Sequence, residues 1–160
     1  MTKKTHAMRL LDSRRIAYRV TEYDSSGAFH TGEEAAALVG AAAASVYKTL
    51  VVLRDPPSGK PMMVMVPVAL QLDLKLLADA LGEKRLRMAT QKEAEKLTGM
   101  QVGGISALGV QRPGFTILID ERAQALERVH ISAGTRGMDI ELAVSDLVAI
   151  TGARFVRTAR

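Results

Sequence analysis

The sequence predicts a single α+β domain in which a mixed, curled, barrel-like β-sheet is flanked by helices. Three observations carry this expectation. Apolar residues repeat at helical spacing in some segments and alternate with period two in others. Two β-rich runs, 45–53 and 61–68, are separated by Asp55-Pro-Pro-Ser-Gly59, whose prolines and glycine demand a turn and so make a hairpin. The later strands follow one another too closely for the crossovers of a doubly wound parallel sheet. At 160 residues the chain has the length of one domain, taken here as 1–160.

The elements follow in order. Segment 5–14 reads as a helix with Met8 and Leu11 on one side, and 18–23 alternates as a strand. Thr31-Gly-Glu-Glu34 is a capping box opening a helix over 35–39 that stops at Gly40. The hairpin comes next, with Met62, Met63 and Met65 expected in the core. Asp73 and Gly82 bracket a helix around 74–81. Thr90-Gln-Lys-Glu93 repeats the capping box, and Gly99 closes that helix. Segments 115–119, 129–132 and 138–142 are short strands. A last helix near 145–151 ends at Gly152, with a final strand at 154–157.

Composition narrows the function classes. Hydrophobic residues make up 48% and charged residues 24%, the balance of a folded globular protein. With no cysteine, disulfides, thiolate metal sites and a cysteine nucleophile are excluded. His6, His30 and His130 form no ligand pair at helical spacing, so no metal is expected. The longest apolar stretches, 35–44 and 62–70, are shorter than the roughly 18 residues that span a bilayer. The N-terminal segment lacks the apolar stretch of a secretory signal, so a cytoplasmic protein without a membrane partner is expected. The net charge of +5 favours anionic partners, although basic surfaces are also common on proteins that bind none. Lys84, Arg85 and Arg87, with Arg154, Arg157 and Arg160, form either a phosphate-contacting surface or a solvated charged face.

Lys48 is the most informative residue. On Val46-Tyr-Lys-Thr-Leu-Val-Val52 it shares a face with Val46, Leu50 and Val52, while Tyr47, Thr49 and Val51 occupy the other. Both faces are mostly apolar, which indicates a central strand. A desolvated ammonium there is costly unless it is paired or faces a cavity, so Lys48 either snorkels to solvent or awaits an anionic or ester oxygen. Gly103-Gly104-Ile-Ser106 either turns the chain or presents amides to a developing oxyanion. Ser132-Ala-Gly-Thr-Arg-Gly137 is glycine-rich but matches neither a Walker loop nor a dinucleotide fingerprint. Asp139 and Glu141, two apart, share one strand face, for acid–base work or for solvation. Tyr23, at the end of a strand, stacks on a base or packs in the core. No Gly-x-Ser-x-Gly elbow exists, so a conventional triad is unsupported.

Four motifs in order and spacing resemble the YbaK-type aminoacyl-tRNA deacylases, relatives of the editing domain inserted in bacterial prolyl-tRNA synthetase. They are Val46-Tyr-Lys-Thr-Leu50, Pro67-Val-Ala-Leu-Gln-Leu-Asp-Leu74, Val102-Gly-Gly-Ile-Ser106 and Ser132-Ala-Gly-Thr-Arg-Gly-Met-Asp-Ile-Glu-Leu142. The likeness runs along nearly the whole chain and is nearest to the Cys-tRNA(Pro) deacylases. It implies trans-editing hydrolysis of Cys-tRNA(Pro) with no cofactor, in which the substrate's own thiol attacks its ester and leaves as a cyclic thiolactone. Lys48, Gly103 and Gly104 are then the expected catalytic residues. Tyr23, Thr49, Ile105, Ser106, Ser132, Gly134 and Asp139 are the expected substrate-binding residues. Misacylated tRNA is the implied partner, with prolyl-tRNA synthetase a further candidate. One departure is Ala107, where the family usually has proline. It keeps alternatives open: a deacylase for an alanyl, seryl or threonyl ester, or a tRNA- or nucleotide-binding module without turnover.

Overall fold

The computed structural model describes residues 3–24, 34, 36–37, 40–110 and 114–160. Helix α1 (His6–Ser13) starts at Thr5, whose hydroxyl accepts from the Met8 amide, and buries Ala7, Met8 and Leu11. Strand β1 (Tyr18–Glu22) follows. The Thr31 capping box lies outside the described residues. Of the helix it was expected to open, Glu34, Ala36 and Ala37 are helical, and Gly40 follows at φ +71°. A 3₁₀ turn (Ala43–Ser45) leads into β2 (Tyr47–Arg54), which turns back as β3 (Met62–Pro67).

Both remaining caps stand as expected. Asp73 accepts from the Leu76 amide to open α2 (Leu74–Leu81). Thr90 and Glu93 cap each other's backbone to open α3 (Gln91–Thr98). Between these helices lies β4 (Leu86–Met88), a strand that the charge-rich 84–87 segment concealed. Strand β5 (Thr116–Asp120), a 3₁₀ turn (Glu121–Ala125), β6 (Arg128–Ser132), β7 (Met138–Ala143), α4 (Val144–Thr151) and β8 (Arg154–Val156) complete the described fold.

The strands make two open sheets rather than a closed barrel. One is antiparallel, in the order β1-β7-β6; the other is mixed, in the order β4-β2-β3-β5-β8. β2 is central, antiparallel to both β3 and β4, as its two apolar faces require. The pairs β3–β5 and β5–β8 are parallel. Among the described residues a single parallel bridge, Val46 to His130, joins the sheets. Beyond it β2 stays with β3 and β4, β6 stays with β7, and the two sheets part.

Two apolar clusters hold the sheets. The larger takes Tyr47 and Val51 from β2, Met63 and Met65 from β3, Val129 and Ile131 from β6, and Met138, Ile140 and Leu142 from β7. The smaller lies on the opposite face, where Val52, Val64, Val66, Leu118 and Val156 pack against Leu77 and Ala78 of α2. Met62, Met63 and Met65 are all buried, as expected. The two basic clusters fall on opposite edges of the five-stranded sheet, one by β4 and the other at β8 and the segment after it. Arg87 is paired with Glu93 and Arg160 with Asp73, so part of that charge is already neutralised.

Candidate functional site

Register determines which side chains meet. On β6, Val129 and Ile131 enter the main core, so His130 and Ser132 face the other way. On β7, Met138, Ile140 and Leu142 enter the core, so Asp139 and Glu141 share the face of His130. On β2, Tyr47 and Val51 enter the core, so Lys48 faces away from it with Leu50 and Val52. The Val46–His130 bridge makes these outward faces one surface. Ser132 is opposite Asp139, and Asp139 is opposite Thr21. Lys48 lies two residues beyond Val46, as Ser132 lies two beyond His130, and the strands run the same way. Lys48, Ser132, Asp139 and Thr21 therefore form a row across four strands, at the place where the sheets part.

The charges in this row are handled differently. Lys48 is half-buried, and among the described residues it has no ion pair and no hydrogen bond. Burial alone pulls its ammonium below the ordinary value of 10.5. Neither Asp139 nor Glu141 pairs with it; both lie against His130, whose Nδ1 is 2.7 Å from Asp139 Oδ2 and whose Nε2 is 3.3 Å from Glu141 Oε2. Burial pushes the Asp139 carboxyl up, against the lowering effect of His130. Burial also raises the Tyr23 phenol, which is close enough to Asp139 and Arg136 to feel both charges.

The loops at the end of the row pack tightly. The Tyr23 amide donates to the Gly137 carbonyl at 2.8 Å. The Ser132 hydroxyl accepts from the Gly134 amide at 3.1 Å and so shapes its own turn. A Cβ on Gly104 would lie 2.7 Å from the Arg136 nitrogen and 2.8 Å from the Thr135 carbonyl carbon, so only glycine lets these two loops touch. The Gly104 amide is bonded to the Gln101 carbonyl at 2.8 Å. The Gly103 amide has no such partner among the described residues, and Gly103 is exposed.

Lys48, Ser132 and Asp139 thus come together on one surface, and Gly104 packs against the loop that carries Gly134, with Tyr23 close to Asp139. Three expected residues are placed differently. Thr49 is one residue beyond Lys48 and so belongs to the opposite face, where its hydroxyl is buried with no hydrogen-bond partner among the described residues. Ile105 packs into the main core. Ser106 is fully buried, with its hydroxyl accepting from the Leu108 amide, so it builds the loop rather than facing a ligand. Ala107 is buried in the core beside them. Sequence reasoning passed over His130, because its partners are cross-strand neighbours. The signal available was its alternation with Val129 and Ile131.

No conventional triad forms on this surface, since both His130 nitrogens face carboxylates and the Ser132 hydroxyl faces an amide. Among the described residues no group of three histidine or acidic side chains is placed to hold a metal ion. No helix among them is long and apolar enough to cross a membrane.

Comparison with known proteins gives consistent results. A family model described as an aminoacyl-tRNA editing domain matches residues 27–150. A protein of Enterococcus faecalis, named provisionally as the Cys-tRNA(Pro)/Cys-tRNA(Cys) deacylase EbsC, is 33% identical over 96% of this chain and 92% of its own length. The proline–tRNA ligase of Limosilactobacillus fermentum is 30% identical over 68% of this chain, which spans only 19% of that larger protein. A crystal structure described provisionally as a trans-editing enzyme for prolyl-tRNA synthetase superposes with a TM-score of 0.81 at 27% identity, covering 99% of both chains. A hypothetical protein of known structure shares the fold, with a TM-score of 0.83 at 24% identity over 97% of this chain and 99% of its own.

Proposed function

The chain belongs to the aminoacyl-tRNA editing domain family, and from that membership we propose that it is a deacylase acting in trans on misacylated Cys-tRNA(Pro), with residues 1–160 as one editing domain. Its near full-length similarity to the Enterococcus faecalis protein supports that substrate. A synthetase pocket that accepts proline separates cysteine poorly, because the two are similar in size, so a second protein must remove the wrong ester. Misacylated tRNA is the substrate and prolyl-tRNA synthetase the neighbour from which it comes. This chemistry belongs where tRNAs are charged, in the cytoplasm.

The observation that carries the mechanism is the unpaired, half-buried Lys48 ammonium on the same surface as Asp139. Lys48 holds oxygen atoms of the terminal adenosine and its ester. The exposed Gly103 amide is the donor for the developing oxyanion, and Gly104 lets its loop sit close against the 132–137 loop. With no hydroxyl paired to a base among the described residues of this surface, the substrate supplies the nucleophile. Its thiolate sulfur bonds to the ester carbonyl carbon, the carbon–oxygen bond to ribose breaks, and the ribose oxygen takes the proton the thiol gave up. A β-thiolactone leaves. Positioning of this kind lowers a barrier by roughly 7–11 kcal/mol, and one oxyanion donor contributes about 3 kcal/mol.

The test is deacylation of cysteinyl-, S-methylcysteinyl-, alanyl- and seryl-tRNA(Pro) by the purified protein. Preference for cysteine and inertness of the S-methyl ester are expected. Because Ala107 stands where the family usually has proline, equal turnover of the alanyl or seryl ester would move the substrate assignment. Salt-sensitive tRNA binding without cleavage of any ester would reduce the protein to a binding module.

A further inference from the structure

The surface that carries Lys48 holds one group with no role in the chemistry above. His130 lies between Asp139 and Glu141, and its side chain is 12% exposed against 7% and 24% for theirs. Two carboxylates on alternate residues of one strand repel each other. The ring stands between them: Nδ1 is within hydrogen-bond reach of Asp139 Oδ2 at 2.7 Å, and Nε2 lies 3.3 Å from Glu141 Oε2. Arg128 adds positive charge on the outer side, 3.9 Å from Glu141 Oε2.

The result is an asymmetric Asp139. Oδ2 is committed to His130 at 2.7 Å. Oδ1 has no hydrogen bond among the described residues. The Tyr47 and Thr49 hydroxyls are the only fully buried side-chain polar atoms without a partner among those residues, so Oδ1 keeps contact with solvent. A desolvated carboxylate with one oxygen fixed and the other open is a receptor for a cation. Lys48, which has no ion pair among the described residues, lies two strands away. An aminoacyl ester brings a cation of its own, the α-ammonium two bonds from the carbonyl carbon.

We propose that Asp139 Oδ1 receives the α-ammonium of the aminoacyl ester, and that His130 is the positioning residue that fixes the carboxylate for it. The ester then lies along the row, with its amine toward β7 and its adenosine toward β2. Free α-amino esters are the substrate class, and N-blocked or amine-free esters are excluded. This rests on the editing reading.

The experiment compares cysteinyl-tRNA(Pro) with 3-mercaptopropionyl-tRNA(Pro), which keeps the thiol and lacks only the amine. The wild type is expected to favour the cysteinyl ester in kcat/KM by about 10- to 100-fold, the scale of a charged hydrogen bond. Asp139→Asn collapses that ratio toward one. His130→Ala also lowers it, raising KM for the cysteinyl ester more than it lowers kcat, and His130→Gln, which keeps a donor, restores part of it. Equal wild-type turnover of the two esters overturns the proposal, and so does a His130→Ala protein that keeps the wild-type ratio. Calorimetric binding of 3′-cysteinylamino-3′-deoxyadenosine, an uncleavable amide, against its amine-free counterpart separates this subsite from catalysis. Amine-dependent binding by a protein that cleaves no ester would sink the editing reading and leave the subsite standing. Amine-independent binding sinks the subsite.

Discussion

The two faces of one strand, β2, carry different kinds of side chain. Tyr47 and Val51 point into the main core with Met63, Met65, Ile131 and Ile140, where polar groups are few. Lys48, between them in sequence, points the other way into a surface shared with His130, Ser132 and Asp139. A strand turns its side chains over at every residue, so stability and chemistry are separated by one position rather than by a domain boundary. The core face is satisfied by apolar contact. The other face, which packs Val52 into the smaller cluster, keeps at Lys48 a half-buried ammonium with no ion pair among the described residues.

The sharpest way to break this division is to substitute both faces and measure activity and stability separately. Lys48→Ala is expected to lose deacylation by about 10²-fold or more, the scale of a removed electrostatic donor, with an unchanged or raised Tm. Met65→Ala, one pair along the hairpin and fully buried, is expected to cost about 2–5 kcal/mol in denaturant unfolding while leaving activity per folded molecule intact. A Lys48→Ala protein that unfolds as easily as Met65→Ala would erase the distinction.

A second substitution sharpens it at the loops. Gly104→Ala puts a methyl group 2.7 Å from the Arg136 nitrogen and must separate the two loops. A displacement of about 1 Å at a catalytic group costs on the order of 10²-fold in rate, so steady-state deacylation should drop by that order while the core, measured by Tm, changes little.

The pH profile tests the ammonium itself. Burial makes the folded-state value of Lys48 lower than that of the unfolded chain. The penalty for holding the proton is therefore present below the folded value and relieved as pH rises through it. If the charged form acts, kcat/KM must fall on the alkaline side, beginning below the ordinary lysine range. Lys48→Arg, which stays charged, should lose that limb even if its overall rate is low.

The smallest expected effect lies away from both faces. Thr90→Ala removes half of the α3 capping box and should cost about 1 kcal/mol with no change in editing rate. Glu93, held down to about 2 mainly by Arg87, with the Thr90 amide helping, stabilises the fold above the carboxyl's unfolded value and loses that contribution as pH falls toward its folded one. Acid titration of the Tm in wild type and Glu93→Gln checks this.

The caps and the hairpin were legible because their causes are local. Asp73, Thr90, Gly82, Gly99 and Gly152 each act within a turn of their own position. The opposite orientations of Lys48 and Thr49 were equally legible from alternation, yet the motif resemblance grouped them, and the structure separates them by face. Strand β4 was hidden because Lys84, Arg85 and Arg87 dominate a segment whose pairing with β2 is non-local. Gly103 and Gly104 looked equivalent in sequence. Only the Gln101 carbonyl, bonded to the second of them, distinguishes the donor that is left.

What the sequence determined by itself was most of the helices and strands, the caps of α2 and α3 and, within each strand, which residues share a face, because these follow from backbone geometry over a few residues. The tertiary structure alone decided that β3, β5 and β8 run parallel, that the sheets stay open, and that the Val46–His130 bridge brings Lys48, His130 and Asp139 onto one surface. Those outcomes depend on pairings between residues far apart in the chain. Their free energy comes from burying two apolar clusters at once, and no local pattern records it.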